Sequence, residues 1–287
     1  MKKYISIVLL VLCSLPAIAQ KKEKIKGNRE VTTVIYELDP FTAIDIREDI
    51  EVVLINGTKS QVEVNTDENL HEVFDIHVVN GTLTIATTKE IRSSKRLEIF
   101  ITVSDTLQRI HAGDDVEIKS LTTLAMNTIE LNVMENAEMD LKIRADSLTI
   151  NGYGKTKQRY EIFTNQLILT AFEDADIQAT AQATNTIATV EHADVELEGT
   201  TETLALVVKE KGEFMASDFV SKEIDVTATD QAKIAVQASQ KITIDANDRA
   251  EISLLGNPSE INMRVFDGEA VLQKVDIHKK GFLKRIF

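Results

Sequence analysis

The sequence predicts an all-β protein: a right-handed single-stranded parallel β-helix capped by an N-terminal antiparallel β region. Three observations lead there. First, a short unit recurs between residues 112 and 272. A small residue is followed by a charged or polar one, then apolar–polar–apolar, as in Ala137-Glu138-Met139-Asp140-Leu141, Ala175-Asp176-Ile177-Gln178-Ala179 and Ala193-Asp194-Val195-Glu196-Leu197. Second, the small anchors Ala137, Gly154, Ala175, Ala193, Gly212, Ala232, Ala250 and Gly268 are spaced by 17, 21, 18, 19, 20, 18 and 18 residues. A nearly fixed period of that length marks a stacked solenoid. Third, two apolar columns keep phase with the anchors. Leu131, Leu148, Leu169, Ile187, Leu206, Val226 and Ile244 stand six residues before them; Met139, Ile177, Val195, Phe214, Ile234 and Ile252 stand two after. Helical periodicity is absent, and each crossover between parallel strands is only a turn, which a β-helix permits.

The elements follow in chain order. Residues 1–19 read as a secretory signal: Lys2 and Lys3, the apolar run Ile5–Leu12, then the small-x-small site Ala17-Ile18-Ala19. The run is too short to span a bilayer, and no transmembrane span is expected in the mature chain. Residues 20–33 are highly charged and read as a flexible leader. Residues 34–110 alternate with period two and carry Asn56-Gly57 and Asn80-Gly81, both suited to tight hairpin turns. They form the expected antiparallel region, which caps or starts the solenoid. Residues 111–278 form the β-helix. Residues 279–287 combine Lys279, Lys280, Lys284 and Arg285 with Phe282, Leu283, Ile286 and Phe287. This basic-apolar segment is expected to cap the last rung, whose unpaired edge needs cover.

Composition limits function. Aromatic residues make up 5% of the chain and Trp is absent, so the core is built from Ile, Val, Leu and Ala rather than around a ring-lined pocket. Net charge is -14, and loss of Lys2 and Lys3 with the signal deepens it. No basic field exists to displace counterions, so nucleic acid is excluded as a partner. Cys13 is the only cysteine and leaves with the signal, so the mature chain has neither disulfide nor thiolate chemistry.

The N-terminal blocks add a resemblance. Phe41-Thr42-Ala43-Ile44-Asp45-Ile46, Ile50-Glu51-Val52, Val62 to Leu70 and Asn80-Gly81-Thr82-Leu83-Thr84-Ile85 resemble the opening of the family described as "putative auto-transporter adhesin, head GIN domain". Gly113-Asp114-Asp115-Val116-Glu117-Ile118 resembles its step into the solenoid. The resemblance covers about residues 36 to 273. It implies an exported β-helical protein of the cell envelope and brings no enzyme activity. This chain differs in replacing many rung glycines with alanine or with Asp114.

Candidate chemistry lies in charge. Acids follow many anchors (Asp115, Glu138, Asp176, Asp194, Glu213, Glu251, Glu269), and a second set precedes them (Glu135, Glu173, Glu191, Glu210, Asp230, Asp248). Stacked rungs turn these into ladders. They are read as a solvated acidic face or as a seat for calcium, with Glu173, Asp176, Glu191 and Asp194 as the candidate ligands. No other cofactor is expected. One coil breaks the pattern with Lys155, Lys157 and Arg159, read as cross-strand ion pairs or as a ligand-binding basic spot. By the anchor register, Lys155 should lie between Glu138 and Asp176, and Lys157 beside Asp140. The five histidines are scattered and carry no triad or metal-ligand spacing. The sequence therefore points to a non-catalytic exported envelope or surface protein, adhesin-like, offering a flat acidic recognition face to a protein or glycan partner and open to oligomerisation. The alternatives are a carbohydrate-active β-helix lyase or hydrolase and a structural envelope scaffold. The periplasm, the outer membrane surface and the extracellular space all fit.

Overall fold

A computed structural model describes residues 22–276. The expected signal (1–19) and the expected cap (279–287) lie outside the described residues. The chain winds into a β-solenoid of about nine turns. Each long strand, such as Glu138–Gly154, Lys157–Phe172 and Asp176–Glu191, runs through one coil and bends midway, so that it serves two faces of the rod. Each pairs in parallel with the next, in register over nearly its whole length.

The register comes from the inward side chains. Met139, Gln158, Ile177, Val195, Phe214, Ile234 and Ile252 stack over one another on one face, and Leu131, Ile150, Leu169, Ala188, Leu206, Val226 and Ile244 on the other. Sliding a strand by one residue would turn every inward side chain to water. Each fully buried Ile, Leu or Phe contributes about 1.5–3 kcal/mol, so the columns hold the coils in phase.

Two anchors read from the sequence are two residues out of register. Thr156, not Gly154, stacks with Ala137 and Ala175, and Ala270, not Gly268, follows Ala250, as shown by the pairs Glu138↔Lys157 and Glu251↔Val271. Gly154 and Gly268 instead occupy the corner position that needs a positive φ. Correcting Gly154 moves Leu148 into the neighbouring inward column. Ile187, 43% exposed, lies outside with Ala188 facing in for a separate reason, the turn before Ala193 being one residue shorter than the turn before Ala175.

That corner position is the most regular feature of the fold. Asp114, Glu135, Gly154, Glu173, His192, Glu210, Asp230, Asp248 and Gly268 all have φ between 54° and 77°. A non-glycine residue there costs on the order of 1 kcal/mol. Carboxylates offset part of this by reaching back one coil. The Asp114 N–H donates to Glu135 Oε2 at 2.6 Å, the Glu210 N–H to Asp230 Oδ2 at 3.4 Å and the Asp230 N–H to Asp248 Oδ2 at 3.3 Å. Most of the second acidic ladder therefore serves the corner itself. Glu191 is the exception, one residue upstream of the slot that His192 fills.

The opposite bend uses hydroxyls. Thr164 donates to the carbonyls of Asp146 and Gln166, and Thr201 to those of Thr184 and Thr203. These buried threonines occupy carbonyls that the ladder leaves free where it changes direction.

The N-terminal region corrects three expectations. It is mixed, not antiparallel. Ala43–Ile46 and Glu51–Asn56 already form a coil, paired in parallel with Arg109–Ala112 and Glu117–Ser120 on one side and with Thr82–Thr87 and Leu97–Val103 on the other. The solenoid thus begins near residue 43 rather than 111. Antiparallel strands close its N-terminal edge: Phe74–Val79 pairs with Thr82–Thr87, and Gln61–Asp67 lies between Leu97–Val103 and Val31–Glu37. Alternation has the same period in both pairings, which is why it could not separate them. Asn80-Gly81 does make the tight hairpin, with φ of 51° and 75°. Asn56-Gly57 does not, because the strands it joins pair with other partners.

Nor is the whole of residues 20–33 a flexible leader. Lys24–Lys26 pairs in parallel with Glu90–Ser93. Lysines suit such an edge strand, because pairing uses the backbone while the charges deter further strand addition. The strand is clasped by Asp67, which is fully buried. Its carboxylate accepts from the backbone N–H of Arg29 at 3.1 Å and from that of Lys95 at 3.1 Å. Gly27 makes room, since a Cβ there would meet Asp67 Oδ2 at 1.8 Å.

Replacing Asp67 by Ala removes the buried charged acceptor of two backbone N–H groups, and a hydrogen bond to a charged group contributes about 1.5–3 kcal/mol. The D67A chain should lose about 2–4 kcal/mol of unfolding free energy in urea titration, and amides of residues 24–26 should exchange faster than those of residues 157–172.

Candidate functional site

The face built from the first half of each long strand carries the densest chemistry. Its outermost column reads Glu117, Glu138, Lys157, Asp176, Asp194, Glu213, Lys233 and Glu251. Asp115 and Glu269 fall in turns and do not join it. The next column contains Lys119, Asp140, Arg159, Gln178 and Glu196, and the one beyond contains Lys142, Glu161, Thr180 and Glu198.

The corrected register changes the role of the basic coil. Lys157, not Lys155, lies between Glu138 and Asp176, and Arg159, not Lys157, lies beside Asp140. Lys157 Nζ donates to Glu138 Oε1 at 3.2 Å, and Arg159 Nη1 stands 3.9 Å from Asp140 Oδ2. Polarity then reverses, with Lys142 Nζ 3.0 Å from Glu161. Arg144 lies over the Phe163 ring, 5.2 Å from its centre. Lys155 projects from the turn and is exposed. The arrangement is a checkerboard of cross-coil pairs, each worth a few tenths of a kcal/mol in water. The three cations do not converge on a common point.

Beyond Arg159 the side chains shorten to Gln178, Thr180 and Gln182 before Glu196 and Glu198 rise again. Shallow depressions of about 140, 320 and 330 Å³ open along this strip, and Arg159 borders all three. The largest of the three is edged by Lys142, Arg159, Glu161, Phe163, Thr180 and Gln182, and Gln178 and Thr180 both line the one of about 320 Å³ beside it. The sequence reading missed this strip. Its signal was the outward run of short polar residues between a coil of cations and a coil of acids, visible only once the coils are in register.

The candidate calcium ligands are not assembled. Asp176 and Asp194 are ladder neighbours, Glu173 occupies the positive-φ slot, and Glu191 lies upstream of the corner. Among the described residues no group of three or more His, Cys, Asp or Glu is arranged to hold a metal ion. Burial and then the neighbouring carboxylates of Glu213 and Asp176 raise the Asp194 carboxyl above its ordinary 3.8. At the corner, Asp114 is raised first by its hydrogen bond with Glu135, and Glu135 is lowered first by the Asp114 backbone N–H.

Beneath the checkerboard, the same coil places polar groups inside the rod. Tyr160 OH donates to Gln158 Oε1 at 2.8 Å, and Gln158 Nε2 donates to Thr156 Oγ1 at 2.9 Å. All three are buried, and burial raises the Tyr160 phenol well above 10. A Cβ at residue 152 would stand 2.3 Å from Gln158 Nε2, so Gly152 leaves room for the amide.

The comparisons agree with this geometry. The model of the family described as "putative auto-transporter adhesin, head GIN domain" matches residues 40–161 and again 148–258. The chain belongs to that family. A putative adhesin from Parabacteroides merdae shares the fold at 17% identity and TM-score 0.60, over 88% of this chain and 99% of its own. A putative adhesin from Parabacteroides distasonis does so at 15% and 0.63, over 88% and 100%. A putative lipid binding protein from Parabacteroides distasonis does so at 18% and 0.57, over 88% and 100%. No curated protein matches the sequence. No helix among the described residues is long and apolar enough to cross a membrane.

A raised acid pKa means that the folded state binds more protons than the unfolded state in the interval between the two values, so stability falls as pH rises through it. Asp194→Asn should therefore be more stable than the parent at pH 7. The difference should shrink as pH falls from the raised folded value towards 3.8 and vanish below it, as read by urea midpoints across pH.

Proposed function

We propose that this is a non-catalytic, exported envelope protein that works by surface recognition, with the strip from Arg159 to Glu198 as its contact face. One observation carries the reading: the depressions bordered by Arg159 are shallow and open, on a sheet whose cations already face carboxylates. Such a surface suits an extended neutral or weakly charged partner, glycan or protein, held by amide, hydroxyl and carboxylate groups. The family's description as adhesins supports the same class of role. A hydrolase needs two carboxyls flanking one scissile bond, one of them kept as an acid, and a lyase needs a general base beside the proton it removes; shallow, open depressions favour those readings less.

The experiment fills the strip. Gln178→Arg with Thr180→Arg places two long side chains in the depression, and as surface changes they should shift the melting temperature by no more than about 3 °C. Parent and variant are tested against envelope glycans and envelope proteins immobilised separately. The expected result is retention of the parent on one of them and at least about tenfold weaker retention of the variant. Equal binding by both chains, binding by neither, or turnover of the glycan would overturn the proposal. Labelling of intact cells with an impermeant reagent then separates surface display from a scaffold beneath the outer membrane.

A further inference from the structure

The two faces that each long strand serves differ in charge. On the four coils from Glu138–Gly154 to Asp194–Lys209, one face has outward columns beginning at Glu138, Asp140 and Lys142. Every position in these columns is charged except Gln178 and Thr180. The other face reverses this. One of its outward columns reads Thr149, Ile168, Ile187 and Ala205, and the next reads Asn151, Thr170, Thr189 and Val207. The column that begins at Ser147 holds only hydroxyls and amides on the same coils. None of these positions is charged, in a chain whose net charge is -14. Ile187 is 43% exposed there. Tyr153 and Phe172 stack on each other at the margin, 5.7 Å between ring centres.

We propose that a second copy of this chain docks on the uncharged face, sheet against sheet across a two-fold axis. Charge, area and shape select this occupant. Depletion of charge marks the centre of a protein interface. Two copies that meet through the other face oppose carboxylates, and through this one they oppose none. Four rungs and seven residues per strand give a footprint of about 19 by 23 Å. The flanking coils Thr128–Glu135 and Glu213–Ala228 extend it. The footprint then reaches about 660 Å² per copy, within the roughly 600–1,000 Å² that a stable dimer buries on each side. The acids on those flanks are matched within the chain. Glu130 pairs with Arg109 at 3.4 Å, Asp225 with Arg264 at 2.7 Å, and Glu223 lies beside Lys241 on the ladder. Both copies are ruled at the same rung spacing, so rows of one fit between rows of the other, and a face that fits itself is what an isologous dimer requires. An axis along the rod lays rung on rung. It sets Glu130 and Asp225 opposite Asn132 and Thr227 rather than opposite each other. Tyr153 and Phe172 cover one another, which suits a sheet interface better than a stacked sugar. The proposal does not depend on the ligand reading above, which uses the other face and stays open in the dimer.

Sedimentation of the chain at tens of micromolar should give a dimer. Ile187→Glu with Thr189→Glu puts like charges across the axis and should weaken association at least about 100-fold. Ile187→Lys with Thr189→Lys should do the same. Mixing the two variant chains should restore a dimer, which only a face that meets itself predicts. Gln178→Arg with Thr180→Arg, on the other face, should leave association unchanged. A monomeric parent, a dimer indifferent to the Glu pair, no recovery on mixing, or a dimer lost through residues 178 and 180 would overturn the proposal. So would a monomer that holds a glycan or another protein through residues 187 and 189. A milder substitution gives a second readout. Ile187→Cys, in a chain carrying Cys13→Ser, should react with a thiol reagent at least about tenfold faster when diluted to monomer. Thr180→Cys should react equally at both concentrations. Equal rates at residue 187 would contradict the proposal.

Discussion

Every other feature of this molecule depends on the backbone ladder between successive coils. Each coil both donates to and accepts from each of its neighbours, so the hydrogen bonds run along the rod and no coil is complete alone. A hydrogen bond of this kind contributes only about 1 kcal/mol net, but an unmade one inside the rod costs more, and this makes register nearly all-or-none. The inward columns choose the register, the positive-φ corner and the hydroxyl-lined bend allow the chain to return to it, and the antiparallel strands end it at the N-terminal side. The polar trio Thr156–Gln158–Tyr160 is tolerated inside because its members satisfy one another; a partial set would be costlier than an aliphatic core.

Function is confined by this construction to outward positions. A stacked sheet repeats its side chains at fixed spacing and offers little depth. Variation from coil to coil is the only way to build a distinctive patch. Two such changes stand out: from paired charges to short polar residues between Arg159 and Glu196, and, on the other face, from charge to none between Glu130 and Asp225. The first gives a shallow strip and the second a flat uncharged patch. The acidic corner ladder, by contrast, looks like a cation site in a list of residues but has a structural role in space, because several of its carboxylates hold the preceding coil's N–H.

The solenoid was legible because its period and its phased apolar columns are local, repeated signals. What misled were residues whose local chemistry fits two slots. Gly154 is small enough to pass for an anchor, yet stacks on Glu135 in the positive-φ slot. That one choice displaced Lys155, Lys157 and Arg159 by two positions and so gave Lys155 and Lys157 the cross-coil partners that belong to Lys157 and Arg159. The start of the solenoid at residue 43 was hidden for a different reason. Parallel and antiparallel strands alternate alike, and only the non-local pairing of Ala43–Ile46 with Arg109–Ala112 decides. Lys24–Lys26 was missed because charge was read as disorder, whereas an edge strand needs only its backbone.

The central claim is in-register stacking, and a distance along one outward column measures it most directly. Glu138 and Glu251 are separated by six ladder steps. Spin labels on cysteines at these two positions should give a single narrow distribution near 29 Å, at about 4.8 Å per step. A broad distribution, or one centred below about 20 Å as two packed layers would produce, would contradict it.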